Sequence, residues 1–413
     1  MPASLASPRL PRARRWLRTV RLGLAGLLGL GAALASAAPA SGPPVLIGLD
    51  AEFGSPTSTS AQAVKLGMDL AIEEINQAGG VLKGRRLELV VRDNRAIPAA
   101  AVDNLRELAA MPDLVGVFGA KYSPVLVEWL KPAHELGLPI FATWSSADQI
   151  TDHDYRPSYS FRLSLKDAWA GPVLLGFARD HHKARKVGVM LPNTAWGRSN
   201  KAAIAKAQAG AGVTIVGERW YNWGDKTLLD PYLELLAQGA QAIILVANEM
   251  EGSVLVREVA ALPKDKRLPL VSHWGVTGGN FAKMAGDALD QVDFSVIQTF
   301  SFVGARSAAA QRVLHALRTR HGIDDPARIP SPVGLAHAYD LTHLLAKAID
   351  RAGSTDRRKI RSALERLDGH DGLVRRYDRP FTAERHDALG PQWILMARYT
   401  ADDRLVPTGW QPR

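Results

Sequence analysis

The fold class is decided by one stretch of sequence, Val45-Leu46-Ile47-Gly48-Leu49, and by the amphipathic segment that follows it at Ala61–Gln77. The first is short and apolar, which is typical of a strand buried on both faces of a sheet. The second has apolar residues at helical spacing. The same alternation continues, with apolar runs at Leu87–Val91, Leu114–Phe118 and Pro139–Thr143 and helical segments at Ala99–Ala110 and Pro124–Leu136. This pattern predicts a parallel sheet covered by helices on both faces.

A second series of the same kind begins after Ser158–Leu163, a stretch that alternates like a strand. Helices are predicted at Asp167–Asp180, Ser199–Ala209, Leu228–Gln238 and Gly252–Ala261, and strands at Val187–Leu191, Thr214–Glu218, Ala242–Val246, Pro269–Ser272 and Phe294–Phe300. Three more helices are predicted near Ala308–His321, Leu335–Arg351 and Thr355–Leu367, and a last strand at Trp393–Tyr399. No Pro- or Ser-rich linker separates the two series. The sequence therefore predicts an α/β protein of two doubly wound parallel-sheet lobes connected by ordered crossings.

The composition excludes several classes of protein. The chain has 413 residues, of which 46% are hydrophobic and 22% charged, so a folded protein of two or three domains is expected. Because there is no cysteine, disulfides, thiolate zinc sites and a cysteine nucleophile are ruled out. The net charge is +10, but residues 1–37 hold six arginines, no lysine and no acid, so the remainder carries 10 − 6 = +4. That balance disfavours nucleic-acid binding.

The first 37 residues have the order of a secretory signal peptide. Arginines up to Arg21 are followed by the apolar run Leu22–Leu34 and by the small residues Ala35-Ser36-Ala37. The run is about 13 residues, short of the ~20 that span a bilayer, so an uncleaved anchor is the weaker alternative. We therefore expect residues 1–37 to be cleaved and the mature protein to be exported to the periplasm, by either the general secretory or the twin-arginine route.

Known catalytic and cofactor motifs are absent from the sequence. The loop after the first strand, Asp50–Thr57, has neither a G-x-G-x-x-G pattern nor a lysine-bearing phosphate loop, and no G-x-S-x-G or H-E-x-x-H occurs. Two candidate metal sequences, Asp152-His153-Asp154 and Asp180-His181-His182, lack a pair of ligands at helical i, i+4 spacing. No cofactor, no metal and no enzymatic activity are therefore predicted.

Candidate binding residues follow the carboxyl ends of the predicted strands, where open α/β sheets bind their ligands. In the first half these residues are Phe53, Tyr122, Ser123, Trp144, Ser145 and Ser146, and in the second half Trp196, Asn248 and Trp274. Large aromatic residues in such loops favour the lining of a cleft. The alternatives are structural: Ser123 would cap a helix with Pro124 at its first position, Ser145 and Ser146 would cap a turn, and the tryptophans would pack lobe against lobe.

Several short motifs occur in a distinctive order between Val45 and Tyr399. They are Gly67-Met68-x-x-Ala71-x-x-x-Ile75-Asn76-x-Ala78-Gly79-Gly80-Val81, Gly84, Asp93, Gly137-Leu138-Pro139-Ile140, Phe161-Arg162, Asp167, Gly171-Pro172 and Ala338-Tyr339-Asp340. With these motifs the chain resembles the type I periplasmic binding proteins, and within them the branch that includes the leucine/isoleucine/valine-binding protein of ABC transporters.

The resemblance implies two lobes joined by three hinge crossings, which we place near Leu163, Ser301 and Gly372. Lobe 1 would then comprise residues 38–163 and 302–371, and lobe 2 residues 164–301 and 372–413. The resemblance also implies a monomer that clamps a small-molecule ligand between the lobes and delivers it to an inner-membrane ABC permease. The alternative is a periplasmic sensor that presents the ligand to a signalling receptor.

Individual site residues either match the family pattern or depart from it. Ser123 matches a serine that contacts the ligand carboxylate, Ser146 a threonine at the ligand's ammonium and carboxylate, and Trp196 an aromatic residue that covers the ligand. The departures are Asn248 in place of a tyrosine, Trp274 in place of the acid that pairs with the ammonium, and Trp144 in place of an alanine. Unless Glu251 or Glu52 replaces that acid, an ammonium would be buried unpaired. We therefore expect an aromatic or apolar ligand, with or without a carboxylate, over an amino acid or amide.

Overall fold

The computed structural model describes residues 42–400 and 402–412; the predicted signal peptide lies outside these residues. Five parallel strands form the first sheet in the order β2-β1-β3-β4-β5. They are β1 (Val45–Ala51), β2 (Leu87–Asp93), β3 (Leu114–Gly119), β4 (Ile140–Ala142) and β5 (Ser160–Arg162). The helices between them are α1 (Ser60–Gln77), α2 (Pro98–Ala109) and α3 (Ser123–Glu135). Strands β1 and β3 are buried along almost their whole length, which explains why their sequences are continuous apolar runs.

The second sheet has seven strands in the order β14-β13-β10-β9-β8-β6-β7. These are β6 (Lys186–Pro192), β7 (Thr214–Tyr221), β8 (Ala242–Leu245), β9 (Leu270–Ser272), β10 (Phe294–Gln298), β13 (Leu395–Tyr399) and β14 (Leu405–Pro407). Its helices are α4 (Asp167–Asp180), α5 (Ala195–Ala211), α6 (Leu229–Ala237), α7 (Glu249–Ala260) and α8 (Phe281–Ala285). The strands are parallel except β13 and β14, which run antiparallel to their neighbours.

After β10 the chain returns to the first sheet before it adds β13 and β14 to the second. Helix α9 (Ala308–His321) is followed by α10 (Pro332–Ala352), which packs along α1, and by α11 (Arg357–Leu364). The crossing of α1 and α10 is close because position 67 is glycine: a Cβ there would lie 2.1 Å from the carbonyl oxygen of Leu335. A short hairpin, β11 (His370–Asp371) and β12 (Arg376–Tyr377), follows and is held by Asp340, whose carboxylate accepts hydrogen bonds from the N–H groups of Leu373 and Val374.

Two sheets with helices on their faces confirm the predicted α/β fold of two lobes. Differences from the prediction concern short or extended elements: β7 runs to Tyr221 rather than Glu218, α7 begins at Glu249 rather than Gly252, and the small strands β11, β12 and β14 were not predicted. The residue boundaries of the lobes stay predictions. In the part of the chain that the structure describes, no helix combines the length and the apolar character needed to cross a membrane.

Candidate functional site

One cavity lies where the carboxyl ends of the two sheets face each other. Seven of the nine predicted residues line it, namely Tyr122, Ser123, Trp144, Ser146, Trp196, Asn248 and Trp274. Three further residues complete the lining, namely Lys121, Trp223 and Gly275. The cavity is small: the volume that the centre of a water molecule can occupy is about 10 Å³, close to the minimum for one bound water. A larger guest therefore requires the side chains or the lobes to move apart.

Trp144, which follows β4 of the first sheet, and Trp274, which follows β9 of the second, pack against each other at the cavity, as the lobe-against-lobe alternative predicts. Each is 1% exposed, and their ring centres are 5.7 Å apart. Position 334 must be glycine for this packing, because a Cβ there would lie 2.5 Å from Cε3 of Trp144. Behind Trp274 lies His337, hydrogen-bonded to the carbonyl of Thr143 and to the hydroxyl of Thr299. Burial lowers the pKa of His337 to about 4, so the imidazole is neutral and adds no charge beside the two tryptophans.

Ser123 joins two loops of the first lobe. The helix-cap interpretation of this residue is wrong: α3 begins at Ser123 itself, and the cap position is occupied by Tyr122. The Oγ of Ser123 instead accepts hydrogen bonds from the backbone N–H groups of Ser146 (3.2 Å) and Ala147 (3.3 Å). The serine therefore fixes the loop that carries Trp144 and Ser146 against the start of α3.

Two of the predicted residues are not brought to the cavity. Ser145 donates a hydrogen bond from its hydroxyl to the carbonyl of Ala120 at 2.7 Å and is fully buried. Phe53 is half-buried against the core of the first sheet. Both positions follow a strand, as predicted, but neither side chain belongs to the cavity lining.

Trp223 was missed because β7 is longer than its apolar pattern indicated. The strand ends at Tyr221, so Trp223, rather than a residue after Glu218, follows its carboxyl end. The ring of Trp223 meets that of Tyr122 edge to face, with ring centres 5.2 Å apart. The aromatic run Trp220-Tyr221-Asn222-Trp223 was the available signal.

The cavity lining offers hydrogen-bond donors without matching acceptors. The indole N–H groups of Trp144, Trp196 and Trp223 are buried and have no acceptor among the residues that the structure describes. No carboxylate side chain lines the cavity. A guest whose acceptor atom reaches one of these N–H groups would satisfy it, whereas an ammonium would find no carboxylate in the lining.

The two acids that could have replaced the missing carboxylate are engaged elsewhere. Glu52 accepts hydrogen bonds from the hydroxyls of Ser58 and Ser60. Glu251 accepts one from the backbone N–H of Gly224 at 2.8 Å, and burial raises its pKa. Neither glutamate contributes to the cavity lining.

The two candidate metal sequences, Asp152-His153-Asp154 and Asp180-His181-His182, lie in different parts of the fold. Asp152 pairs with Lys166 at 2.6 Å, and His182 lies 3.4 Å from Asp293. His153 packs edge to face against His134. Across residues 42–400 and 402–412, no group of three or more metal-ligating side chains is arranged to hold a metal ion.

Comparison with known proteins assigns the architecture to a family. A family model described as periplasmic binding protein matches residues 44–402. The chain belongs to the periplasmic binding protein family. It is 25% identical over 326 residues to the leucine-, isoleucine-, valine-, threonine- and alanine-binding protein of Pseudomonas aeruginosa, a match that covers 78% of this chain and 82% of that relative.

Solved structures of periplasmic binding proteins share the fold. A type 1 periplasmic binding protein from Bordetella pertussis superposes with a TM-score of 0.79 at 21% identity, covering 88% of this chain and 99% of that one. A solute-binding protein of an ABC transporter from R. palustris, solved in complex with benzoate, superposes with a TM-score of 0.73 at 17% identity, covering 89% of this chain and 96% of that one. At these identities the likeness concerns the fold.

Proposed function

We propose that this protein captures a small organic molecule between its two lobes and delivers it to an inner-membrane ABC permease. The family and the names of the relatives support the transport role. The observation that carries the proposal is a cavity lined by residues that follow strands of both sheets, so that one guest can contact both lobes. The proposed activity is binding and transfer, without a catalytic step, and the proposed location is the periplasm after removal of residues 1–37.

The proposed mechanism is closure about the three chain crossings near Leu163, Ser301 and Gly372. A ligand that contacts both lobes binds the closed state more tightly than the open one and shifts the population toward closure. The closed form then docks on the permease. Lobe 1 would comprise residues 38–163 and 302–371, and lobe 2 residues 164–301 and 372–413.

For the ligand we propose a small aromatic or apolar molecule that carries an acceptor group, such as a carboxylate, and lacks an α-ammonium group. The three unpaired indole N–H groups support an acceptor, and the lining without carboxylates argues against a cation. Burial of an unpaired ammonium costs several kcal/mol. The benzoate complex of the R. palustris protein is in keeping with this ligand class. The small cavity favours a single-ring or smaller molecule, which the tryptophan side chains must move to admit.

Thermal shift followed by calorimetry on residues 38–413 tests the proposed ligand class. The panel is benzoate, benzamide, benzylamine, phenylalanine and leucine, which vary the acceptor, the ring and the ammonium separately. We expect benzoate to bind best and benzamide to bind more weakly, with no binding of benzylamine or leucine. A ligand at 100 times its Kd stabilises the folded state by about 2.7 kcal/mol, a readily measured shift. Tight binding of leucine without binding of any aromatic acid would contradict the proposed class.

A further inference from the structure

A buried ion pair joins the two lobes beside the cavity. Lys121 follows β3 of the first sheet, and Glu249 is the first residue of α7, which follows β8 of the second sheet. The Nζ of Lys121 lies 2.7 Å from Oε2 of Glu249, and each side chain is 2% exposed. Burial is the largest single effect and lowers the pKa of Lys121, but Glu249, Tyr122 and Glu52 together raise it by more, so the net shift is upward and the lysine stays charged.

The ion pair is surrounded by further contacts between the lobes. The hydroxyl of Thr57, in the loop before α1, donates to Oε1 of Glu249 at 3.0 Å, and Nζ of Lys121 donates to the carbonyl of Gly278 at 3.3 Å. Backbone hydrogen bonds run in both directions, from Thr59 N–H to the carbonyl of Gly278 and from Asn280 N–H to that of Thr57, each at 2.9 Å. Charge and hydrogen-bonding capacity are thus matched across the lobes, as a buried pair requires.

Two adjacent glycines allow this approach. A Cβ at position 278 would lie 2.4 Å from Cδ of Lys121, and one at position 279 would lie 2.4 Å from Cδ of Glu249. The side chains of the ion pair therefore rest directly on the backbone of the second lobe. Any larger residue at either position would push the pair apart.

We infer that Lys121, Glu249, Thr57 and Gly278 form a latch that holds the lobes closed in the absence of ligand. The pair can form only when the lobes meet, since its members follow strands of different sheets. When the lobes separate, both charges become hydrated, and closure removes them from water again. The pair therefore favours closure only while both partners are present, because a single remaining charge would be buried unpaired. The latch thereby sets how much of the closing free energy a ligand must supply.

Variants of the pair make a test that needs no ligand. The native chain has no cysteine, so cysteines at two exposed positions, Lys131 and Lys226, place one dye on each lobe. Single-molecule energy transfer then gives the closed fraction. A closed population is expected in the ligand-free wild type. In Lys121→Met or Glu249→Leu the remaining charge is buried without a partner on closure, so the closing equilibrium constant is expected to fall about 100-fold or more.

The double variant and the controls separate the latch from a general loss of structure. Lys121→Met/Glu249→Leu leaves no charge unpaired, so it should close more fully than either single variant. Because it also lacks the pair, it should close less fully than the wild type. Lys121→Arg keeps the charge and should stay closed to a large extent. Lys65→Met, which removes an exposed ion pair within one lobe, should change nothing. A wild type that is wholly open without ligand, or single variants as closed as the wild type, would overturn the latch. Either result leaves the proposed transport role and ligand class untouched, since those are tested by the ligand panel.

Discussion

Replacement of Trp196 by phenylalanine separates the binding role of an indole N–H from its effect on folding. The Trp196 side chain is 5% exposed, and its Nε1–H has no acceptor among the described residues. Phenylalanine removes that donor and roughly 40 Å³ of side chain, a loss of about 1 kcal/mol at about 24 cal/mol per Å³ of cavity. An unsatisfied buried donor itself costs about 1–3 kcal/mol, so its removal offsets the cavity. The ligand-free Trp196→Phe protein is therefore expected to be as stable as the wild type or slightly more stable.

The same variant should bind the ligand more weakly than the wild type, although its stability is unchanged or slightly higher. A hydrogen bond from the indole to a charged acceptor contributes about 1.5–3 kcal/mol, so benzoate should bind about 10- to 150-fold more weakly. Isothermal calorimetry with benzoate measures the affinity, and denaturant unfolding of the ligand-free protein measures the stability.

Trp129→Phe is the matched control in the same protein. Its indole N–H donates to the carbonyl of Ala101 at 2.9 Å in a fully buried site outside the cavity. The substitution loses both volume and a made hydrogen bond, about 2 kcal/mol together, and should leave benzoate binding unchanged. The reasoning fails if Trp196→Phe binds benzoate like the wild type, or if it loses as much stability as Trp129→Phe.

Two further predictions concern stability. Burial raises the pKa of Asp50 from 3.8 to about 7, so its stabilising contribution is full below about pH 4 and is lost as the pH rises through about 7. Asp50→Asn should flatten the fall in unfolding free energy between pH 4.5 and pH 8, a fall of up to about 3 kcal/mol; denaturant unfolding that shows the same dependence on pH in both proteins would contradict this. Gly67→Ala should lower the free energy of unfolding by about 1–3 kcal/mol, because the new Cβ meets the Leu335 carbonyl. Gly210→Ala, in open space on α5, should raise it by up to about 1 kcal/mol, and thermal unfolding of both variants tests these opposite signs.

The sequence predicted those elements whose signal is local. Helix α4 is found at its predicted bounds, Asp167–Asp180, because its apolar spacing and the charged residues at both ends lie within the segment itself. Strands β11, β12 and β14 have two or three residues, too few for any alternation to be recognised. Their place depends on a partner, as for β14, which is defined by its antiparallel pairing with β13.

The sequence predicts which residues lie near the site, but it does not predict where their side chains point. Trp144 and Ser146 reach the cavity while Ser145 between them does not, because the hydroxyl of Ser145 is hydrogen-bonded to the carbonyl of Ala120 instead. Lys121 also follows a strand, yet its burial depends on Glu249, a partner 128 residues away along the chain. No local pattern carries that information.

The structure changes how the tryptophans are expected to select a ligand. From the sequence, the tryptophans are expected to form flat apolar walls. An apolar wall discriminates only weakly between ligands, by about 1–3 kcal/mol per methylene group. Trp144, Trp196 and Trp223 also present buried N–H groups without acceptors, and a site of that kind rejects a molecule that leaves them unpaired far more strongly. Selection would therefore depend on the acceptor group of the ligand more than on its ring. It follows that toluene, which keeps the ring of benzoate and lacks the acceptor, should be a poorer ligand than a small aliphatic carboxylate that keeps the acceptor and lacks the ring.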